Sequence, residues 1–231
     1  RNTEPVFEHA AQVAVAHAET RGQPLAMSID ARVQGVLESE LANAVVNLEA
    51  IGGAGIILDV HTGEIAAMTS LPTYNPNKLA PDNMAARRNA VTHNLYELGS
   101  TFKPLTVAAA IDAGTVTSMA RRYDATAPLA IAGFRIRDSH PSNRWLNVPE
   151  TLIHSSNITT ARISDELGRE NMEAMFRKLD FNTRPKIDLK ERAFPLWPKD
   201  WGRLTTMTTG YGHGIAVTPL HLASAYAALV N

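Results

Sequence analysis

The sequence predicts an α+β fold in which a mainly antiparallel sheet is flanked by helices. Apolar residues recur at three- and four-residue steps over 33–48, which is typical of an amphipathic helix. Two apolar runs, 54–60 and 64–68, are joined by a short glycine-containing turn and indicate a β-hairpin. A second hairpin is indicated over 128–138. Helices that alternate with hairpins in one chain predict a layered α+β domain.

The elements of the first part of the chain follow from local signals. Residues 1–24 fit a strand and a helix equally well and are left open. Residues 24–29 indicate a short extended run, and Asp30 is the predicted N-cap of the first helix. Gly52 and Gly53 are expected to end that helix. The first hairpin run is almost entirely apolar, so we expect a strand covered on both faces.

The rest of the chain alternates between helix and loop. A helix is expected to begin at Gly99 and Ser100 and to stop at Gly114. Pro104 does not prevent this helix, because it falls in the first turn, where a missing N–H is tolerated. Thr218 and Pro219 carry the N-cap and first-turn signals of a last helix. The remaining predictions are a loop over 71–82, two helices over 149–167 that break near Ser155, a helix over 170–179 and a loop over 182–200.

Composition excludes several classes of function. The net charge is −1, so nothing in the bulk charge indicates a nucleic-acid partner. The chain has no cysteine, which excludes a disulfide framework, a zinc–thiolate site and a cysteine nucleophile. The glycines at 210, 212 and 214 lack the strand and the acidic partner of a dinucleotide site. We therefore predict neither a metal nor a cofactor.

The strongest chemical signal is Ser100-Thr101-Phe102-Lys103. Residues three apart on a helix share a face, so the Lys103 amine can reach the Ser100 hydroxyl. Serine becomes a good nucleophile when a neighbouring base removes its proton, and lysine can be that base when burial lowers its pKa. Taken alone, the pattern is weak, because two common residues often occur at this spacing by chance, and it favours an N-cap serine beside a solvated lysine.

The surrounding residues distinguish these interpretations. The segment 97–104 resembles the active-site helix start of penicillin-binding proteins, whose signature begins with Ser-x-x-Lys. Ser155-Ser156-Asn157 resembles the second motif of that family, Ser-x-Asn. Further resemblance, in the same order along the chain, extends over about residues 25–231. The segment 58–68 resembles the first hairpin of the family, and 154–162 resembles class B members in its residue types. The segment 210–220 resembles the division-type enzymes more than the elongation-type ones.

The resemblance implies a mechanism and a set of partners. Ser100 is expected to be acylated by the stem peptides of peptidoglycan and by β-lactam antibiotics, with Lys103 as general base. Ser155 is expected to relay a proton to the leaving group. Asn157 is expected to bind the substrate amide and to help hold Lys103. The Ser100 amide would supply half of the oxyanion hole. Other membrane proteins of the division complex are the expected protein partners.

The third family motif, Lys-Thr-Gly or Lys-Ser-Gly, does not occur in residues 1–231. The resemblance therefore implies a transpeptidase domain over 25–231 that is incomplete at its C-terminus. We expect this span alone to be inactive, because the third motif contributes a lysine and the second oxyanion amide in this family. We also expect it to be poorly soluble, because the first hairpin would keep an open edge. Residues 1–24 would be a linker or the end of an upstream pedestal. An N-terminal membrane anchor outside the sequence would place the domain at the periplasmic face of the inner membrane.

Three other functions share part of this pattern. A serine β-lactamase would pass the acyl group to water, a β-lactam sensor would keep it, and a structural component of a division complex would not need it. The class B-like segments favour the transpeptidase.

Overall fold

The computed structural model describes residues 25–78 and 85–231. The seven α-helices of this part are α1 (Ala31–Asn47), α2 (Ala90–His93), α3 (Lys103–Asp112), α4 (Val148–Ile153), α5 (Asn157–Lys178), α6 (Arg203–Thr209) and α7 (Pro219–Val230). The strands are β1 (Gly53–Leu58), β2 (Ile65–Leu71), β3 (Arg122–Asp124), β4 (Leu129–Ile131), β5 (Phe134–Ile136) and β6 (Trp145–Asn147). Short 3₁₀ turns cover Ala85–Arg87 and Gly99–Phe102. The predictions for residues 1–24 and for the end of the loop over 71–82 lie outside the described residues.

Helix α1 begins as predicted and ends earlier than predicted. The Asp30 carboxylate accepts hydrogen bonds from the backbone amides of Arg32 and Val33, which makes it the N-cap. The helix ends at Asn47, and Gly53 is already the first residue of β1, so the prediction that Gly52 and Gly53 end the helix was wrong. Residues 25–29 form no strand, although the Ser28 hydroxyl donates to the carbonyl of Ile65.

The first hairpin is present, but its first strand is less covered than predicted. Strands β1 and β2 pair in antiparallel register from Gly53 with Leu71 to Leu58 with Ile65. Every residue of β1 keeps some solvent exposure, and Ile57 is 40% exposed. The prediction of a strand covered on both faces was therefore wrong for the described part of the chain. An open gap between α1 and β1, lined by Val33 and Val36, leaves Ile57 in contact with solvent.

The strands of the described residues form three separate antiparallel ribbons rather than one continuous sheet. Strand β1 pairs with β2, β3 with β6, and β4 with β5. The β4–β5 hairpin is the one predicted over 128–138, and its turn residues Ala132 and Gly133 both have positive φ, as a tight hairpin turn requires. The short strands β3 and β6 and the short helices α2 and α6 were not predicted, since each is too brief to show a period.

Two breaks divide the helical region that carries the second motif. Helix α4 begins with a capping box between Asn147 and Glu150 and ends at Ile153. Helix α5 starts again at Asn157 with Ser156 as its N-cap, and Gly168 interrupts it with φ +79°. The predicted break near Ser155 is confirmed. The helix predicted over 170–179 is also confirmed, as the part of α5 that follows the interruption at Gly168.

The main core holds the turn that contains Ser100. Phe102 is fully buried and packs edge-on against Phe176, with ring centroids 5.6 Å apart, and against Phe181 at 5.3 Å. Trp201 extends the same aromatic cluster. Because interiors are packed as densely as crystals, this cluster limits how far the turn around Phe102 can move.

Candidate active site

The segment Gly99–Phe102 forms a 3₁₀ turn that continues directly into α3 at Lys103. The Lys103 backbone N–H donates to the carbonyl of Ser100, which closes the turn. Side chains three residues apart lie directly above one another in a 3₁₀ turn, so Ser100 and Lys103 share a face. Ser100 is exposed, whereas Lys103 is buried. The turn therefore presents a hydroxyl at the surface with an amine behind it.

Two neighbouring residues, the side chain of Tyr226 and the backbone of Gly212, contact the serine turn. The Tyr226 hydroxyl of α7 donates to the carbonyl of Thr101 at 2.8 Å. Gly212 lies so close to Gly99 that an added Cβ would come within 2.3 Å of the Gly99 carbonyl oxygen. The glycine at 212 is therefore required by this close approach, and it is the part of the glycine cluster that contacts the serine turn.

Lys103 is a basic residue whose side chain is buried. Its side chain is only 2% exposed, although it belongs to α3 next to the surface serine. Burial lowers the pKa of the Lys103 amine to about 8, while the negative charge of Asp138 acts in the opposite direction. With this pKa, roughly a tenth of the Lys103 amine is neutral at pH 7.

Ser155 is the direct hydrogen-bond partner of Lys103. The Lys103 Nζ donates to the Ser155 Oγ at 2.9 Å and also to the Ser155 backbone carbonyl. Ser155 occupies the break between α4 and α5 with φ +50°, a left-handed conformation that is uncommon for serine. The structure thus brings two of the predicted residues, 52 positions apart, into contact.

Asp138 holds the second motif in place, and sequence reasoning missed it. Its carboxylate accepts hydrogen bonds from the Ser156 hydroxyl at 2.8 Å and from the Ile158 amide at 3.0 Å. The group is 8% exposed, so these bonds are screened little by water. Asp138 was the last residue of the predicted hairpin over 128–138, but no pattern distinguished it from an ordinary surface acid.

Asn157 lies at the first turn of α5, two residues after Ser155. Its side-chain amide donates to the backbone carbonyl of Arg137 at 2.9 Å. This bond ties the start of α5 to the segment that follows β5. The Lys103 amine hydrogen-bonds Ser155. The expectation that Asn157 helps hold Lys103 stays a prediction.

Comparison with known proteins decides the family. The profile described as penicillin binding protein transpeptidase domain matches residues 53–231. The chain belongs to the penicillin-binding protein transpeptidase family. The match includes both motifs described above and excludes α1.

Curated relatives place this transpeptidase chain among the class B members. It is 40% identical over 210 residues to a probable peptidoglycan D,D-transpeptidase FtsI of Caulobacter vibrioides, covering 91% of this chain and 36% of that protein. It is 32% identical over 207 residues to the peptidoglycan D,D-transpeptidase FtsI of Escherichia coli, covering 89% of this chain and 35% of that protein. The chain thus spans just over a third of the length of these relatives.

Solved structures confirm the α+β transpeptidase fold. A structure titled as a peptidoglycan glycosyltransferase from Burkholderia ambifaria superimposes with a TM-score of 0.79 at 30% identity, covering 88% of this chain and 61% of that one. The apo TP domain of Burkholderia pseudomallei penicillin-binding protein 3 gives a TM-score of 0.78 at 29% identity, covering 90% and 59%.

We predict that Asp138→Ala lowers the free energy of unfolding by about 3 kcal/mol, because the buried Ser156 hydroxyl and Ile158 amide both lose a charged acceptor. Urea denaturation followed by circular dichroism measures this change. Asp188→Ala is the matched control, since Asp188 is exposed, and should have almost no effect. Equal stability of the two variants would contradict the holding role of Asp138.

Proposed function

We propose that this chain is the nucleophile-bearing part of a peptidoglycan D,D-transpeptidase, with Ser100 as the acylated residue. The proposal depends above all on Lys103, a buried amine with a lowered pKa that lies one turn behind an exposed serine. Such an amine is expensive to bury and gives the fold no packing advantage over an apolar side chain. A role as general base would explain why a lysine occupies this buried position.

The arrangement supports a stepwise acyl transfer. The neutral Lys103 amine takes the Ser100 hydroxyl proton while Oγ attacks the carbonyl of the penultimate D-alanine of a stem peptide. The peptide bond to the terminal D-alanine then breaks, and the proton passes from Lys103 through the Ser155 hydroxyl to the leaving amine. An amine of a second stem peptide then attacks the carbonyl carbon of the Ser100 ester, so that an amide bond forms as the ester C–O bond breaks. The proton lost by the amine passes through Lys103 to the Ser100 Oγ, which restores the serine and releases the cross-linked product.

The ends of two helical segments contribute polar groups to the same step. The Ser100 backbone N–H lies in the first turn of a helical segment, where free amides favour developing negative charge, so we assign it half of the oxyanion hole. Asn157 lies at the first turn of α5, and we assign its side chain to a hydrogen bond with the substrate amide. β-Lactam antibiotics, which are cyclic amides, would acylate Ser100 by the same route.

The fate of the acyl group separates this proposal from two alternatives. A β-lactamase would hydrolyse the adduct, and a sensor would bind without any cross-linking activity. Incubation of the intact protein with nitrocefin and with a stem-peptide donor and acceptor distinguishes the three. A long-lived penicilloyl adduct together with a cross-linked peptide product supports the transpeptidase.

The FtsI relatives favour a role in septal wall synthesis with other division-complex membrane proteins as partners. We propose that the domain works at the periplasmic face of the inner membrane, held by an anchor. None of the helices in residues 25–78 and 85–231 is long and apolar enough to cross a membrane. We also propose that Lys-Thr-Gly or Lys-Ser-Gly is contributed by sequence outside residues 1–231, so this span alone would react slowly with penicillin.

The rate of acylation by penicillin should rise with pH through a midpoint near the Lys103 pKa of about 8. Only the neutral amine can accept the serine proton, so the rate falls roughly tenfold per pH unit below the midpoint. Stopped-flow measurements with a fluorescent penicillin on the intact protein give this profile. A rate that is constant between pH 6 and 9 would contradict the assignment of Lys103 as base.

Lys103→Arg should lose acylation as fully as Lys103→Ala, by about 10²–10⁴-fold. Arginine keeps the positive charge but does not deprotonate in proteins, so it preserves an electrostatic role and abolishes a basic one. Mass spectrometry of the penicilloyl adduct over time measures both rates. The exposed Lys178→Ala is the matched control and should react at the normal rate. Near-normal labelling of Lys103→Arg would show that Lys103 acts only through its charge.

A further inference from the structure

A second concave surface lies apart from the Ser100 turn. A groove of about 480 Å³ is bounded by the ribbon β3–β6, by β4 and by the outer faces of α5 and α6. None of the four site residues Ser100, Lys103, Ser155 and Asn157 lines it. We refer to it as the α5 groove.

The walls of the α5 groove carry both signs of charge in equal number. Three basic and three acidic side chains line it: Arg122, Arg162, Arg203, Asp124, Asp165 and Glu166. Arg203 and Asp165 form a two-pronged ion pair with N–O distances of 2.7 and 2.6 Å. Because the opposite charges balance, the groove does not select for an anion or a cation. It suits a neutral ligand that can both donate and accept hydrogen bonds.

Two of these side chains keep hydrogen-bonding capacity for a ligand. The Arg162 Nη2 and the nearer Asp124 carboxylate oxygen are 3.7 Å apart, which is too long for a hydrogen bond. Arg162 instead fixes its position by donating Nε–H to the Asp124 backbone carbonyl at 2.8 Å. A hydroxyl group can accept from the guanidinium and donate to the carboxylate at once. The pair is therefore held in place and suited to a hydroxyl-bearing ligand.

An aromatic surface lies beside these polar groups. The Trp145 side chain is 52% exposed and lines the groove together with the apolar side chains of Leu129 and Met207. An exposed indole is a large flat apolar surface with one polar edge. A ligand with an apolar face and hydroxyls around its edge, as in a pyranose ring, complements this combination.

The α5 groove and the second motif share helix α5. Arg162 lies five residues after Asn157 on the same helix, which corresponds to about 8 Å at 1.5 Å per residue. The hairpin makes a second connection, since β4 lines the groove and the carbonyl of Arg137, just after β5, bonds Asn157. A polymer in the groove would therefore lie about 8 Å along the axis of α5 from Asn157, on the helix whose first turn carries the second motif.

We propose that the α5 groove binds the neutral saccharide backbone of the peptidoglycan strand whose stem peptide enters the active site. The inference rests on the proposed transpeptidase function for the identity of the polymer. Trp145 stacks on a sugar ring, and Arg162 with Asp124 bonds its hydroxyls. Holding the strand here raises the local concentration of its peptide at Ser100 without any contact to the reacting atoms.

The test uses the intact protein and the tetramer of N-acetylglucosamine as a neutral saccharide probe. Isothermal titration calorimetry should show saturable binding in the millimolar range or tighter. Trp145→Ala should weaken binding about tenfold, because it removes the stacking surface. Phe134→Ala is the matched control, since Phe134 is 63% exposed on the neighbouring strand β5 but does not line the groove. That variant should bind within twofold of the unchanged protein.

Asp124→Asn provides a second variant that keeps the shape of the groove, and it should also weaken saccharide binding. Absence of tetrasaccharide binding by the unchanged protein, or equal binding by Trp145→Ala and Asp124→Asn, would overturn the proposal. So would binding of a sugar-free stem pentapeptide that competes with the saccharide and is lost in Trp145→Ala. Penicillin labelling of Ser100, measured in parallel, should be unaffected in all variants; its absence from the unchanged protein would count against the transpeptidase proposal instead.

Discussion

The buried amine of Lys103 determines which hydrogen bonds and packing contacts the surrounding residues must provide. A charged ammonium loses its hydration in the interior, so burial shifts the amine toward its neutral form. The oxygens of Ser155 compensate the buried N–H groups. Phe102, fixed in the aromatic core, holds the turn that carries both Ser100 and Lys103. If the turn were not held in this way, the Lys103 amine could reach solvent, where hydration would favour its charged form.

Asp138 opposes the effect of burial on the pKa of Lys103. Its negative charge favours the ammonium form of Lys103, so the lowered pKa of about 8 is the result of two effects of opposite sign. The same carboxylate accepts from the Ser156 hydroxyl and the Ile158 amide, and thereby fixes the break at which Ser155 adopts its left-handed conformation. One buried acid therefore helps to position the second motif and partly offsets the effect of burial on the pKa of Lys103.

Sequence reasoning located the elements with local signals and missed those without them. The caps at Asp30 and Thr218, the hairpin turns and the break near Ser155 each depend on residues a few positions apart, and all are present. Strands of three residues show no period, so β3 and β6 were not predicted. The hydrogen bond between Lys103 and Ser155 was not predicted, since the family resemblance implied only that both residues act in the same reaction. The burial of Asp138 depends on tertiary packing, and no spacing in the chain reveals it.

The direct test of this account is the ionisation of Lys103 itself. Nuclear magnetic resonance of the intact protein with isotope-labelled lysine side chains follows each amine as the pH is raised. Lys103, assigned by the loss of its signal in a Lys103→Arg variant, should titrate near pH 8, well below the value of about 10.4 of a free lysine amine in water. A Lys103 amine that titrates near that free value would contradict its role as the base that activates Ser100.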